Sequence, residues 1–262
     1  MPTWHREDTE AVACCVCHRE GRPIYDLDPF GVVRCQRCTL VFVSPRLRPE
    51  ALQRLYGDPT YHSGMYDGSR GAMFLQRRWT AGRLELAIGE LGRPADGVRL
   101  LEIGSGRGMF LAAARTAGFH VTGVELSEDA SAHARKRYGV TVHTSQLDAA
   151  PLEGRFDVVC AWDTIEHVPD PVAFWAAVRG LVADDGVVLF STPYISSVPA
   201  RLLRARWWTL KPTEHIWQFT PRTHRTVAEQ ADMTVTKTVR SPLTRANFAR
   251  LDSLVGVARR AR

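Results

Sequence analysis

Apolar positions recur along this chain in three rhythms. Between about 11 and 45 they form short runs, Gly31-Val32-Val33-Arg34 and Thr39-Leu40-Val41-Phe42-Val43, which predict small β-strands. Between about 46 and 95 their spacing is helical. Pro49 to Tyr56 predicts one helix and Gly71 to Leu91 a longer one, with loops rich in Gly and Tyr. From about 98 onward, strand-like runs alternate with helical segments, the pattern of a parallel sheet covered on both faces.

In that last region the strands are Val98 to Ile103, Val121 to Glu125, Val140 to His143, Phe156 to Ala161 and Gly186 to Ser191. Between them, Met109 to Ala117 forms a helix ended by Gly118, and Ser127 caps one running to Tyr138 that stops at Gly139. Asp170-Pro171 opens a further helix, and Thr220-Pro221 opens another through Ala231. Met233 to Arg240 and Ser253 to Arg259 predict a closing antiparallel hairpin. The stretch 192–219, rich in Arg and Trp, reads as a lid-like insertion. The chain thus divides into a small module at 1–45, a helical linker or cap at 46–95, and an α/β domain at 96–262.

Hydrophobic content of 45% and charged content of 24% belong to a soluble globular protein. No apolar run reaches the length of a bilayer span, and the first residues lack the basic-then-apolar pattern of a secretion signal. The expected compartment is the cytoplasm, with no membrane partner. Net charge is +6, and lysine occurs only at 136, 211 and 237, so arginine supplies nearly all the positive charge. Because the arginines are scattered, a nucleic-acid partner is the less favoured reading.

Four of the six cysteines are paired. Cys14-x2-Cys17, then 17 residues, then Cys35-x2-Cys38 gives two knuckles that together complete a tetrahedral zinc site. Four protein ligands leave no open position, so the zinc is structural. Cys15 and His18 lie beside the first knuckle, but the spacing favours Cys14 and Cys17. Cys160 reads as core packing.

Leu100 to Phe110 joins the first strand to the first helix through Gly104-Ser105-Gly106-Arg107-Gly108. Glycines there allow a sharp turn and close approach to a ligand. Met109 stands where a dinucleotide fingerprint needs its third glycine, and Glu102 would repel a pyrophosphate. It suits instead a ligand bearing a cationic amine and sulfonium. Glu125, 17 residues after Gly108, is placed to accept hydrogen bonds from a ribose diol or to cap the helix at Ser127. Gln146 and Leu147, after the third strand, are placed for an adenine or form an ordinary loop.

Leu101 to Phe110, Glu125 and Phe156 to His167 resemble the motifs of class I S-adenosylmethionine-dependent methyltransferases. The resemblance covers about 98 to 259. It implies a Rossmann-like, mostly parallel seven-stranded sheet with the last strand inserted antiparallel. It also implies that Glu102, Gly104 and Gly106 line the methionine part of S-adenosyl-L-methionine and Glu125 the ribose. The cofactor-binding set it implies takes in Ser105, Gly108, Leu126 and Trp162 as well. The cysteine pairs followed by Thr39 to Pro45 resemble a bacterial subgroup of these enzymes with an attached zinc ribbon, often found in natural-product and cell-surface sugar pathways.

On the substrate side, Asp163, Glu166 and His167 have i, i+3, i+4 spacing, so one turn of chain can aim all three at one point. The segment is similar to that of ubiquinone-biosynthesis O-methyltransferases, where two carboxylates and the following histidine bind a divalent metal. Asp163 is one methylene shorter than the family's glutamate. A magnesium ion there would acidify an acceptor hydroxyl. The favoured alternative is a metal-free pocket in which His167 or His215 is the general base. Arg204, Arg206, Trp207 and Trp208 are placed to grip an anionic or sugar-like acceptor, or the tryptophans pin the lid.

The function expected is methyl transfer to oxygen, nitrogen or carbon of a small-molecule acceptor. The rivals are an RNA methyltransferase that uses the zinc module as its platform and a non-catalytic cofactor-binding protein.

Overall fold

The computed structural model describes residues 3–57, 70–240 and 252–261. The Gly- and Tyr-rich loop expected between the two early helices lies outside them. The N-terminal module contains β1 (Thr9–Glu10), β2 (Gly21–Leu27), β3 (Phe30–Cys35), β4 (Val41–Val43) and β5 (Arg46–Leu47). Then come α1 (Pro49–Gly57) and α2 (Arg70–Leu91).

The α/β part follows as β6 (Arg99–Ile103), α3 (Met109–Thr116), β7 (His120–Glu125), α4 (Glu128–Tyr138), β8 (Thr141–Thr144), β9 (Phe156–Trp162), α5 (Pro171–Leu181) and β10 (Val182–Pro193). It closes with α6 (Val198–Leu203), β11 (Trp217–Gln218), α7 (Pro221–Glu229), β12 (Met233–Arg240) and β13 (Ser253–Arg260). Local chemistry sets the boundaries. The Ser127 hydroxyl accepts from the Ala130 N–H at 3.2 Å to start α4, and Gly139 at φ +62° ends it. Asp170 caps α5 through the N–H groups of Val172 and Ala173, with Pro171 at its first position.

The large sheet has the order β12-β13-β10-β9-β6-β7-β8. β6 to β10 run parallel, whereas β13 is antiparallel to both β10 and β12. The chain winds outward in both directions from β6, so a crevice opens beyond the carboxyl ends of β6 and β9, as in other doubly wound sheets. One face of the sheet is buried against α2, α3 and α4 through Leu100, Leu111, Ala134 and Val158. The other face carries α5 and α7, and its core cluster runs without a break from Phe190 and Trp175 to Phe42, Cys14 and Cys35 of the module.

β10 begins at Val182, four residues before the expected start at Gly186, and is bulged between Val182 and Val187. The insertion 192–219 is not a free lid. Its strand β11 pairs antiparallel with β4, completing a four-stranded sheet in the order β11-β4-β3-β2. Trp207 is buried and donates its Nε1–H to Asp252 Oδ2 at 2.8 Å, so it pins the insertion and cannot stack on an acceptor. Trp208 is exposed. No helix among the described residues is long and apolar enough to cross a membrane.

Candidate active site

The glycine loop follows β6 and folds back on β7, where the Val124 carbonyl accepts the N–H groups of Gly104 at 2.8 Å and Ser105 at 3.2 Å. Gly104 has φ +72°, and a Cβ there would lie 2.6 Å from Thr164 Oγ1 in the loop after β9. Glycine is therefore required by backbone and by space. Gly108 has φ +79°, and its missing Cβ lets α3 settle on Ala134 of α4. The Ser105 hydroxyl sits beneath the loop, where a Cβ on Gly123 would come within 2.8 Å of it, and the residue is buried. It packs the loop onto β7.

Glu125 ties the glycine loop to the start of α4. Oε2 accepts the Gly106 N–H at 2.7 Å and Oε1 accepts the Ser127 N–H at 2.9 Å. Each oxygen keeps a second lone pair, which is what a ribose diol needs. Leu126 beside it is 58% exposed, an apolar face at the rim. Gln146 is exposed and Leu147 half-buried where β8 runs into a single 3-10 turn, Leu147–Ala149. Trp162 ends β9 edge-on to Phe110, with ring centroids 5.5 Å apart.

Glu102 is the most telling residue of this crevice. It is 4% exposed; the main chain at Leu111 hydrogen-bonds one side of the carboxyl, and Oε2 has no hydrogen-bond partner. Burial pushes its pKa well above the ordinary carboxylate range; Arg83 opposes the shift and Glu125 adds to it. A buried carboxyl oxygen without a donor is costly alone and well matched to a ligand ammonium. The crevice thus fits the aminoacyl and ribosyl parts of S-adenosylmethionine on its own chemistry.

The sequence reading missed Arg83. It stands four residues from both Trp79 and Ala87 of α2, on the packed side of that helix. Nη2 donates to Asp163 Oδ2 at 2.7 Å and to Ser191 Oγ at 3.3 Å, while its guanidinium carbon lies 4.9 Å from the Trp162 ring centre. A charge in line with apolar positions was the only signal of its role.

This pairing corrects the expected trio of Asp163, Glu166 and His167. Asp163 has φ +52° and points its carboxylate at Arg83. Such a backbone in a non-glycine residue stores about 1 kcal/mol or more. Its expected place is taken by His215, so that ligand atoms of Glu166, His167 and His215 lie within 4.8 Å of one another. The two histidine rings meet edge to face, 4.7 Å between centroids.

His215 Nδ1 lies 2.7 Å from the Thr209 carbonyl oxygen. A carbonyl only accepts, so Nδ1 carries a proton. His167 is half-buried as a residue, yet its ring is packed closely enough that desolvation lowers its pKa to about 4, with Asp163 opposing and Lys211 reinforcing the shift. It is neutral at physiological pH. The two rival histidines therefore occupy one pocket.

In the module, the Sγ atoms of Cys14, Cys17, Cys35 and Cys38 also lie within 4.8 Å of one another, with Cys14 and Cys38 at 3.5 Å. Tetrahedral zinc at about 2.3 Å from each sulfur needs sulfurs about 3.8 Å apart, which this set matches. The Cys15 thiol hydrogen-bonds Cys14 and lowers its pKa to about 4, whereas burial raises those of Cys17 and Cys38. Cys15 itself stands outside the four-sulfur group. Cys160 is fully buried in the sheet, as expected.

A doubly wound sheet with an antiparallel strand inserted between β10 and β12, and a glycine loop facing a carboxylate at the end of β7, has the architecture of the Rossmann-like methyltransferase class. Residues 72–238 match the family model described as a methyltransferase domain, and the chain belongs to that family. It is 41% identical over 103 residues to the ubiquinone biosynthesis O-methyltransferase of Aromatoleum aromaticum, covering 37% of this chain and 44% of that one. The corresponding protein of Methylococcus capsulatus is 35% identical over 134 residues, 48% of this chain and 54% of its own. The chain thus spans about half the length of the curated relatives it matches. Among solved structures, the Burkholderia thailandensis 1,6-didemethyltoxoflavin-N1-methyltransferase superposes with a TM-score of 0.62 at 22% identity, over 92% of this chain and 99% of that one.

Proposed function

We propose that the protein transfers the methyl group of S-adenosylmethionine to a hydroxyl oxygen of a small molecule. The observation that carries the cofactor half is the crevice itself. It combines a buried Glu102 oxygen lacking a donor, a glycine loop that only glycine can form, and Glu125 across from it. When bound, the cofactor supplies an electrophilic methyl group. Glu102 would hold its ammonium, Glu125 its ribose, and Leu126 and Leu147 would flank its adenine. The oxygen acceptor rests on the similarity to O-methyltransferases named above.

The acceptor proton would go to His215, whose ring is oriented by the Nδ1 contact with the Thr209 carbonyl. Neutral His167 and the buried Glu166 pack beside it. A positioned base of this kind is worth roughly 10²–10⁴ in rate. Cys14, Cys17, Cys35 and Cys38 would hold a structural zinc.

A second reading has a metal at Glu166, His167 and His215. Two imidazoles and one carboxylate suit zinc, iron or manganese better than magnesium, which prefers oxygen donors. An RNA platform on the module finds little support, because Phe30 and Phe42 are buried and unable to stack on bases.

The test is titration calorimetry with S-adenosylmethionine, followed by a labelled-methyl screen of phenols and hydroxylated small molecules. Binding should be 1:1, and Glu125→Ala should weaken it at least tenfold in a folded protein. Absence of binding by the parent protein would end the proposal.

A further inference from the structure

His215 reaches the candidate active site on a segment that belongs to the cysteine module's sheet. β11 begins two residues after it and pairs with β4, Trp217 opposite Phe42 and Gln218 opposite Val41. The Val43 N–H donates to the Ile216 carbonyl at 2.9 Å. The same segment is tied to the site from its other side: the N–H groups of Ile216 and Trp217 donate to the Glu166 carbonyl at 2.9 and 3.2 Å. Toward the cysteines, β4 follows directly on Leu40, whose carbonyl accepts the Cys35 N–H at 2.9 Å, and the Thr39 N–H returns to the Cys35 carbonyl at 3.0 Å. Backbone hydrogen bonds thus run from the Cys35–Cys38 knuckle along β4, across to Ile216–Gln218, and on to Glu166. Side chains reinforce the path. Phe42 is fully buried 5.6 Å from the Trp217 ring, and Trp217 Nε1 donates to the Val168 carbonyl at 2.8 Å.

We infer that the cysteine module is the positioning element for His215: a metal held by Cys14, Cys17, Cys35 and Cys38 fixes β4, and β4 through β11 fixes His215 beside Glu166 and His167. The inference rests on the zinc and general-base readings above and adds a link between them. The module shares its core with the large sheet, so bound metal adds chiefly to the order of the two knuckles and of the strand that leaves them. When the metal leaves, the knuckle frees the end of β4 and the ladder that locates His215 loosens. The cofactor crevice is built from β6, β7 and α3, whose strands lie in the other sheet, and it keeps its form. The module on this view is a working part of the acceptor side.

The experiment is hydrogen exchange read by mass spectrometry on the full chain, zinc-loaded and after removal of metal by a chelator. Metal content and S-adenosylhomocysteine affinity are measured on both samples. Exchange at 216–218 should rise at least tenfold together with 35–43, while β6 and β9 stay protected and the affinity changes less than threefold. Cys38→Ser should reproduce the loosening, and Cys38→His, which returns a fourth ligand, should restore protection. If metal removal deprotects 14–38 and leaves 216–218 unchanged, the positioning role is wrong. If β6 deprotects or affinity falls more than tenfold, metal supports the whole fold and the inference also fails. A protein that purifies without metal at the four cysteines sinks the zinc reading itself, and one that never binds S-adenosylhomocysteine sinks the methyltransferase reading.

Discussion

His224 of α7 is a titratable group placed where a charge cannot be tolerated. It has no exposure, lies stacked on Phe190 at 4.1 Å, and is flanked by Phe219 at 4.7 Å and Trp175 at 5.6 Å. Neither ring nitrogen has a hydrogen-bond partner, and burial lowers its pKa to about 3. An unfolded histidine titrates near 6.5. The fold therefore keeps the neutral form, and below pH 6.5 the unfolded chain binds a proton that the native chain refuses. Stability from this site is fully present above about pH 6.5 and is lost as pH falls toward 3, by about 1.4 kcal/mol per unit. Between pH 7.5 and 4.5 the loss is roughly 3 kcal/mol from this residue alone. His224→Phe removes the titration while keeping an aromatic ring, at a packing cost of about 1–3 kcal/mol that does not depend on pH. Urea unfolding of both proteins, followed by tryptophan fluorescence, should show the variant gaining roughly 3 kcal/mol on the parent across that range. Protonation of His167 and of the cysteine thiolates occurs in both proteins and cancels from the difference. Two stability curves that stay parallel within 0.5 kcal/mol, roughly the additivity error of such comparisons, would refute the reasoning.

His215→Asn should lower turnover by about 10²–10⁴ and leave S-adenosylmethionine affinity within threefold, as read by steady-state kinetics and calorimetry once an acceptor is known; equal turnover would remove His215 as the base. Gly104→Ala forces a left-handed alanine, costing about 1–2 kcal/mol, and drives its Cβ onto Thr164. Cofactor affinity should fall at least tenfold, with partial recovery in the Gly104→Ala, Thr164→Ala double variant, and an unchanged affinity would show that the loop is not the cofactor site. Arg83→Met leaves Asp163, whose side chain is 23% exposed, without its cation. A loss of roughly 1–3 kcal/mol is expected in thermal unfolding, more than a surface pair would give, and Asp163→Asn added to it should restore part of that loss.

What the sequence made legible is what local chemistry dictates. The alternation of runs announced a parallel sheet covered on both faces, because strands linked through helices cannot pair as hairpins. Ser127, Gly139, Asp170 and Thr220 marked helix ends because a cap is a contact within four residues. The glycine loop with Glu102 and Glu125 was readable because adjacent strands bring them together at a fixed distance along the chain.

The parts that were not legible are those decided between distant segments. Asp163 and Arg83 are 80 residues apart, and nothing near Asp163 announces that a guanidinium from α2 will claim it. Helical spacing alone put Asp163 with Glu166 and His167, but the actual backbone at Asp163 leaves the helical region at φ +52°, and the i, i+3, i+4 argument fails with it. His215 shows the same limit from the other direction. Its chain neighbours Arg204 to Trp208 suggested a mobile lid over an acceptor, whereas a two-residue strand pairs with β4 far back in the chain and makes the insertion part of a sheet. A two-residue strand has no periodicity to detect. Burial of Trp207 agrees with the alternative in which the tryptophans pin the segment, whereas Trp208 is exposed. On the reading proposed above, His215 is held by its N–H bond to the Lys211 carbonyl on one side and by the bonds of Ile216 and Trp217 to the Glu166 carbonyl on the other, so the base comes from a segment tied into the fold and not from a free lid.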